Sequence, residues 1–314
     1  DYTDSSCPAL LLEPQRTNSV IHSEYLQNAL TNGQVDITFT PNYGISPEGV
    51  KNSTRIQFAD NSAYAYNSVT ITTNAVASMY VKGTSGETFR FGLASNAASG
   101  GLVHTFSGEW ERISNTSSTA TQLIISSYGG TALDFEAYGL QLEQDATYPT
   151  SYIPTYGSAV TRNAENTNTP ASSSVADLIG QTEGTAFIDV EYLDGALDDI
   201  FILHRSAADG IGVSKNNSSF LVRVYQNGTL TNTAGGTTAD SFKLAVTYNS
   251  NGVKMFINGA LNVSNEFAIS FNSLLDDIYL SANPFYISRQ KKNIKQFMLF
   301  PTALTDQEAI DLTT

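Results

Sequence analysis

The chain has 314 residues, 41% of them hydrophobic and 11% aromatic, enough for more than one packed core. Only 15% are charged, and the formal net charge is −14. Such a surface repels nucleic acid, anionic lipid and sulfated or uronate-rich glycans, and no apolar run reaches membrane-spanning length. Cys7 is the sole cysteine, which excludes an intrachain disulfide and a thiolate metal site. The first residue is Asp1, and with no signal peptide the sequence reads as a processed or excerpted piece.

Residues 1–19 read as an N-terminal extended segment whose apolar patch at 9–12 is stopped by Pro14. The patch is too short for a core of its own and is a candidate for burial against a neighbouring subunit. Across 20–150, short alternating runs recur between turn-rich spacers. They predict strands at 35–40, 54–59, 68–73, 75–82, 88–94, 109–114, 122–128 and 131–143. That spacing predicts a jelly-roll sandwich. Residues 151–174 carry prolines and a Ser/Thr/Asn cluster without hydrophobic period and read as a linker, with a short helix near 175–179.

The third part, 175–314, predicts a second sandwich, with strands at 185–193, 198–205, 219–226 and 294–301. Phe242, Leu244, Val246 and Tyr248 share one strand face, and Val253, Met255 and Ile257 share the next. Turns are expected at Asn227-Gly228, Asn251-Gly252 and Asn258-Gly259, because Asn-Gly accepts the positive φ angles of a tight hairpin. Arg289, Lys291, Lys292 and Lys295 form the one basic cluster and read as a solvated turn. Thr305 and Glu308 stand at capping-box spacing, so a terminal helix should lay Leu304, Ala309, Ile310 and Leu312 on the body. The fold class is therefore all-β, two tandem antiparallel β-sandwiches with a short C-terminal helix.

Four stretches carry a family resemblance: CPALLLEPQRTNSVIHSE at 7–24, SYIPTYGSAVTRNAE at 151–165, LIGQTEGTAFIDVEY at 178–192 and the terminal FPTALTDQEAIDLTT. Together they resemble bacteriophage and prophage tail-fibre or tailspike-like proteins. The hairpin at 242–261 also resembles that of laminin-G-like, concanavalin A-type lectin domains. The resemblance implies a carbohydrate-binding jelly roll followed by a laminin-G-like domain. It also implies a location on the virion surface, other virion subunits as partners, and assembly as a homo-oligomer, a trimer being the expected state. It supplies no set of binding residues.

Sugar recognition uses exposed aromatic faces together with Asn, Asp, Gln and Arg hydrogen bonds. In the first sandwich Tyr43, Trp110 and the pair Tyr64 and Tyr66 are the stacking candidates; the last two lie two apart and share one face of an extended segment. The bland alternative is that sandwiches bury such rings. In the second sandwich Asn216 and Asn217 sit in a loop at the rim. No cofactor is required. A structural calcium is the one metal to consider, with Glu24, Asp134 and Glu136 in the first sandwich and Asp198 and Asp199 in the second as oxygen donors.

Three functions follow in order. The first is non-catalytic recognition of cell-surface glycan. The second is a structural virion decoration or fibre role through protein packing. The third, a polysaccharide-degrading enzyme on a concanavalin A-like sandwich, needs a Glu-x-Asp-x-x-Glu pattern. Phe187 stands where the first acid should precede Asp189, and Ala132 where it should precede Asp134.

Overall fold

The computed structural model describes residues 10–60, 62–127, 132–165, 175–192, 198–206, 208–280 and 291–314; the side chains of Asp198, Arg205 and Ser206 lie outside that description. Two compact units result: Gln15–Asn163, and Ala164–Thr314 together with the segment ending at Pro14. Each is an antiparallel β-sandwich.

In the N-terminal unit one five-stranded sheet has the order Glu111–Ser117, Ala75–Lys82, Leu133–Gln144, Thr54–Phe58, Ile37–Thr40. The other runs Gly33–Val35, Tyr64–Ser68, Gln122–Ser127, Thr88–Ala94, Leu102–Thr105. Alternating residues such as Ile56, Met79, Val81, Phe89, Phe91, Ile125 and Phe135 fill the space between the sheets, as period-two patterning requires. Phe89 and Phe106 stack at 4.8 Å at the centre. The strand predicted at 35–40 is broken in two, because Asp36 takes φ 48° and passes the chain from one sheet to the other. The strand predicted at 68–73 lies earlier, at Tyr64–Ser68.

The predicted linker does not begin at 151. Ile153 is 4% exposed and Thr155 is fully buried, and Val160–Arg162 pairs with Arg16–Asn18. Asn18, also fully buried, is the clasp. Its amide donates to the carbonyls of Ile153 at 2.9 Å and Leu140 at 3.3 Å, and its Oδ1 accepts from the N–H groups of Val20 and Leu142 at 3.1 Å each. The segment 166–174 lies outside the described residues.

The C-terminal unit packs a six-stranded sheet, Leu10–Leu12, Lys292–Phe300, Gly184–Tyr192, Ser241–Asn249, Gly252–Ile257, Ala260–Glu266, on a five-stranded one. The latter runs Thr229–Gly235, Phe220–Gln226, Asp209–Lys215, Asp198–Ser206, Asp277–Tyr279. Every hairpin residue expected to face the core does so. Asn227-Gly228 (φ 51° and 78°) and Asn258-Gly259 (φ 46° and 77°) are two-residue turns of the mirror-image type. At the third turn Asn249 pairs with Gly252, so the loop is Ser250-Asn251, one residue earlier than predicted. Gly252 is needed for a different reason: a Cβ there would meet the Asn265 carbonyl at 2.1 Å.

Two further expectations change. The apolar patch at 9–12 is used within the chain: Leu12 is 1% exposed in the C-terminal core, and Leu10–Leu12 pairs with the strand Lys292–Phe300. The basic cluster is no solvated turn. Lys292 is fully buried, its Nζ donating to the Asp199 carbonyl at 3.0 Å, while Lys291 pairs with Glu13 at 3.1 Å and Lys295 with Glu191 at 3.3 Å. Arg289 lies outside the described residues.

The terminal helix Asp306–Thr313 has the expected capping box: Glu308 N–H donates to Thr305 Oγ1, and Thr305 N–H donates to Glu308 at 2.8 Å. Ala309, Ile310 and Leu312 cover Phe187, Ala245 and Phe256 on the outer face of the sheet. Thr305→Ala should lower the stability of this unit by about 1 kcal/mol, measured by urea unfolding. A variant as stable as the parent would show that packing alone holds the helix.

Candidate functional site

In the N-terminal unit, the sheet containing Ala75–Lys82 turns its second face away from the core. Arg112, Tyr80 and Tyr138 stand in one cross-strand row, and Lys82, Glu136 and Arg55 in the next. Alternation with the core residues Ile113, Met79, Val81, Ala137 and Ile56 puts them there. The segment 41–53 lies on this face. Its ends are tied by Tyr43 N–H to the Ser53 carbonyl and Gly44 N–H to Ser53 Oγ, both at 2.8 Å. Gly44 lets the backbone settle on Glu136, since a Cβ there would fall 2.1 Å from its Oε2.

Two aromatic candidates meet at this segment. Tyr43 is 44% exposed, with the Arg55 guanidinium 4.9 Å from its ring centre. Arg55 is held by a fork to Asp134, Nε to Oδ1 at 2.8 Å and Nη2 to Oδ2. The same guanidinium, hydrogen-bonded to Asp134, holds that carboxyl below its ordinary range. Trp110, just ahead of the strand Glu111–Ser117, donates from Nε1 to the Ile45 carbonyl at 3.1 Å. Ile45 and Val50 on the same segment are 58% and 52% exposed.

Beside this lies a tyrosine-rich basin. Tyr138 is 1% exposed, 6.3 Å from the Tyr80 ring and 5.2 Å from Tyr152, and Arg112 lies 5.4 Å over Tyr80. Burial first, then the neighbouring Glu48, push the Tyr138 hydroxyl well above its usual range. That oxygen reaches no hydrogen-bond partner within ordinary distance among the described residues. Tyr156, 67% exposed, donates to Glu24 at 2.6 Å, and this bond raises its pKa to about 12. Asn52 donates weakly to Glu24 at 3.3 Å and to Glu48 at 3.4 Å.

The remaining candidates are not gathered here. Tyr64 and Tyr66 share a face as expected, with rings 6.2 Å apart, but on the opposite side of the sandwich. Both are half-buried and pack on Ala94, Ala97 and Ile124, so part of each ring is spent on the fold. Asn216 Oδ1 accepts from the N–H groups of Ser218 and Ser219 at 2.9 and 2.7 Å, closing its own turn, and Asn217 is exposed beside it.

The carboxylates proposed for calcium carry protein donors. Glu136 accepts from Ser53, Asp134 from Arg55 and Gln57, and Glu24 from Tyr156 and Asn52. Asp199 is 7% exposed, accepting from Ser214 Oγ and from Arg223 at 3.2 Å; the Asp198 side chain lies outside the described residues. Among the described residues no three His, Cys, Asp or Glu side chains gather around one point.

Sequence reading missed Tyr80, Arg112, Glu48, Tyr138, Tyr152 and Tyr156. Alternation within 75–82 marks Tyr80 as pointing away from Met79 and Val81. Its meeting with Arg112 and Tyr138 depends on cross-strand register, which no local pattern encodes.

No family model matches the chain, and no curated protein matches it. Several solved structures are similar to part of it. A Ruminococcus gnavus sialidase carbohydrate-binding module (CBM40), bound to sialyllactose, has 13% identity and a TM-score of 0.35, over 45% of this chain and 91% of that one. A Trypanosoma rangeli sialidase has 12% identity and a TM-score of 0.34, over 42% of this chain and 22% of that one. A structure of botulinum neurotoxin type C, whose cell entry is described as dependent upon interaction with two ganglioside molecules, has 13% identity and a TM-score of 0.35, over 42% of this chain and 35% of that one. This chain thus spans well under two thirds of the sialidase and of the toxin.

Proposed function

We propose that the N-terminal sandwich recognises a cell-surface glycan without cleaving it, through the sheet face crossed by residues 41–53. The observation that carries this reading is Tyr43, an exposed ring braced by Arg55, which Asp134 in turn fixes by two hydrogen bonds. An aromatic ring held in place and open to solvent meets the C–H face of a sugar at little entropic cost. Trp110, Tyr156 and the surrounding carboxylates and guanidinium groups supply further stacking and hydrogen-bonding contacts. The carboxylates of this face accept hydrogen bonds from the protein, which suits binding better than acid–base chemistry.

The setting we propose is a phage or prophage appendage on the virion surface, with the C-terminal sandwich as a laminin-G-like domain. The four sequence stretches that resemble tail-fibre proteins support it. In a trimer, three such faces acting together raise avidity by roughly 10²–10⁴ without new contacts.

A glycan array on the whole chain would find the ligand. Tyr43→Ala and Trp110→Ala should then each weaken binding by about 1–3 kcal/mol, read by calorimetry, with thermal stability little changed. Full affinity in both variants would remove this face from the reading and turn attention to Tyr64 and Tyr66.

A further inference from the structure

Most edges of the two sandwiches are blunted against pairing with another chain. Leu10–Leu12, Gly33–Val35 and Asp277–Tyr279 are three residues long, and Ile37–Thr40 and Leu102–Thr105 are four. Glu111–Ser117 opens on the charges of Glu111 and Arg112, and Ala260–Glu266 carries a bulge and ends in Glu266. The edge strand Thr229–Gly235 has none of these devices. It runs seven residues, TLTNTAG, without charge or proline, and pairs with Phe220–Gln226 in unbroken register. Among the described residues no other main chain bonds to it.

The turn at Asn227-Gly228 fixes which groups of this strand face outward. Gln226 and Thr229 flank that two-residue turn, and such a pair exchanges both of its main-chain hydrogen bonds. Alternation then directs the main-chain groups of Thr231, Thr233 and Gly235 at Phe220–Gln226 as well. Those of Leu230, Asn232 and Ala234 point away from the sheet, along its open edge. The side chains of these three are exposed. Thr231 and Thr233 are half-buried on the inner side, where Thr233 Oγ1 accepts from Asn265 Nδ2 at 2.7 Å.

We infer that this edge pairs with the same edge of a second copy of the chain, antiparallel across a two-fold axis at Asn232, so that two five-stranded sheets become one. A two-fold contact must be self-complementary, and this strand reads nearly alike in both directions from Asn232. The pairing sets Asn232 against itself, Leu230 against Ala234 and Thr231 against Thr233. The first two bring outward-facing residues together, so each pair exchanges both of its main-chain bonds. Thr against Thr is a favoured cross-strand pair. Charge also selects this seam: a chain carrying −14 meets its own copy here with no like charges directly opposite. One strand pair buries less than the roughly 1,200–2,000 Å² of a standard interface, so the dissociation constant is on the order of 100 µM. The contact is separate from the Tyr43 face. It is separate also from three-fold assembly, which needs a head-to-tail contact.

The test is sedimentation equilibrium of the whole chain from micromolar to near-millimolar concentration, in low and in moderate salt. The mass should rise toward two copies, and further in moderate salt, where repulsion between the acidic chains is screened. Asn232→Lys sets like charges together at the axis and should weaken association by about tenfold or more, with thermal unfolding unchanged because the side chain is exposed. Cross-linking then locates the axis. In a Cys7→Ser background, Asn232→Cys places two thiols on a pair whose Cα atoms lie about 5.5 Å apart, within disulfide range, and oxidation should join the copies. Thr229→Cys, at the end of the same strand, should not be joined. A monomer at every concentration would overturn the inference. So would association that Asn232→Lys leaves unaltered, and a mass rising to three copies in that way would favour the trimer instead. Equal cross-linking at 229 and 232 would show collision without register and would remove the two-fold pairing.

Discussion

Leu12→Ala is expected to destabilise the C-terminal sandwich by about 3 kcal/mol, within the 2–5 kcal/mol typical of a buried Leu truncation. The residue lies far from that sandwich in sequence, yet its side chain is 1% exposed in a core shared with Ile188, Val190 and Ile294. Its strand is also the edge of the six-stranded sheet, paired through Leu10↔Ile294 and Leu12↔Lys292. Pro14 follows at once and marks where the chain leaves this unit. Urea unfolding followed by a probe in each sandwich would report the change. The transition of the C-terminal unit should move to lower urea, and that of the N-terminal unit should stay in place. Two transitions both unmoved would mean that this strand adds nothing to the fold it edges.

Asp199→Ala should cost about 3 kcal/mol, because it removes a buried carboxylate partner from a mostly buried guanidinium. Asp199, Ser214 and Arg223 come from three adjacent strands, with Asp199 7% exposed and the Arg223 side chain 15% exposed. Asp199→Asn keeps an acceptor for Ser214 but not the charge, and should fall between the two. The comparison also separates an ion pair from a calcium ligand. If Asp199 serves the fold through Arg223, the loss is the same with calcium or with chelator. If chelator lowers the parent to the level of Asp199→Ala while the variant does not respond, the carboxylate holds a metal and the ion-pair account is wrong.

How much of this molecule was legible in its residues depended on the range of the interaction concerned. The strands 75–82 and 88–94 were read to the residue, because period-two alternation is a property of the strand itself. The terminal capping box and the turns Asn227-Gly228 and Asn258-Gly259 were equally local, each specified by the backbone preferences of two to four neighbouring residues. Where a locally plausible turn failed, at Asn251-Gly252, Gly252 instead pairs with Asn249 inside the ladder, and there its missing side chain makes room for the Asn265 carbonyl.

The candidate site shows the same division. Tyr43 and Trp110 were found as aromatic residues in polar surroundings, but only tertiary structure joins them through the segment 41–53 and places Tyr64 and Tyr66 on the far side of the sandwich. Arg112, Tyr80 and Tyr138 form a row only once the register of three strands is set. Unit boundaries were misjudged for one reason. Residues 10–12 and 153–162 are short, and each acquires its place by adding to a distant strand or core rather than by any pattern of its own. Composition and alternation thus determined two acidic, polar-surfaced β-sandwiches, since hydrophobic period and turn chemistry act between near neighbours. Which charges are buried, which rings stay open and where the termini of each unit lie were decided by contacts between residues tens to hundreds of positions apart, whose free energy exists only in the folded chain.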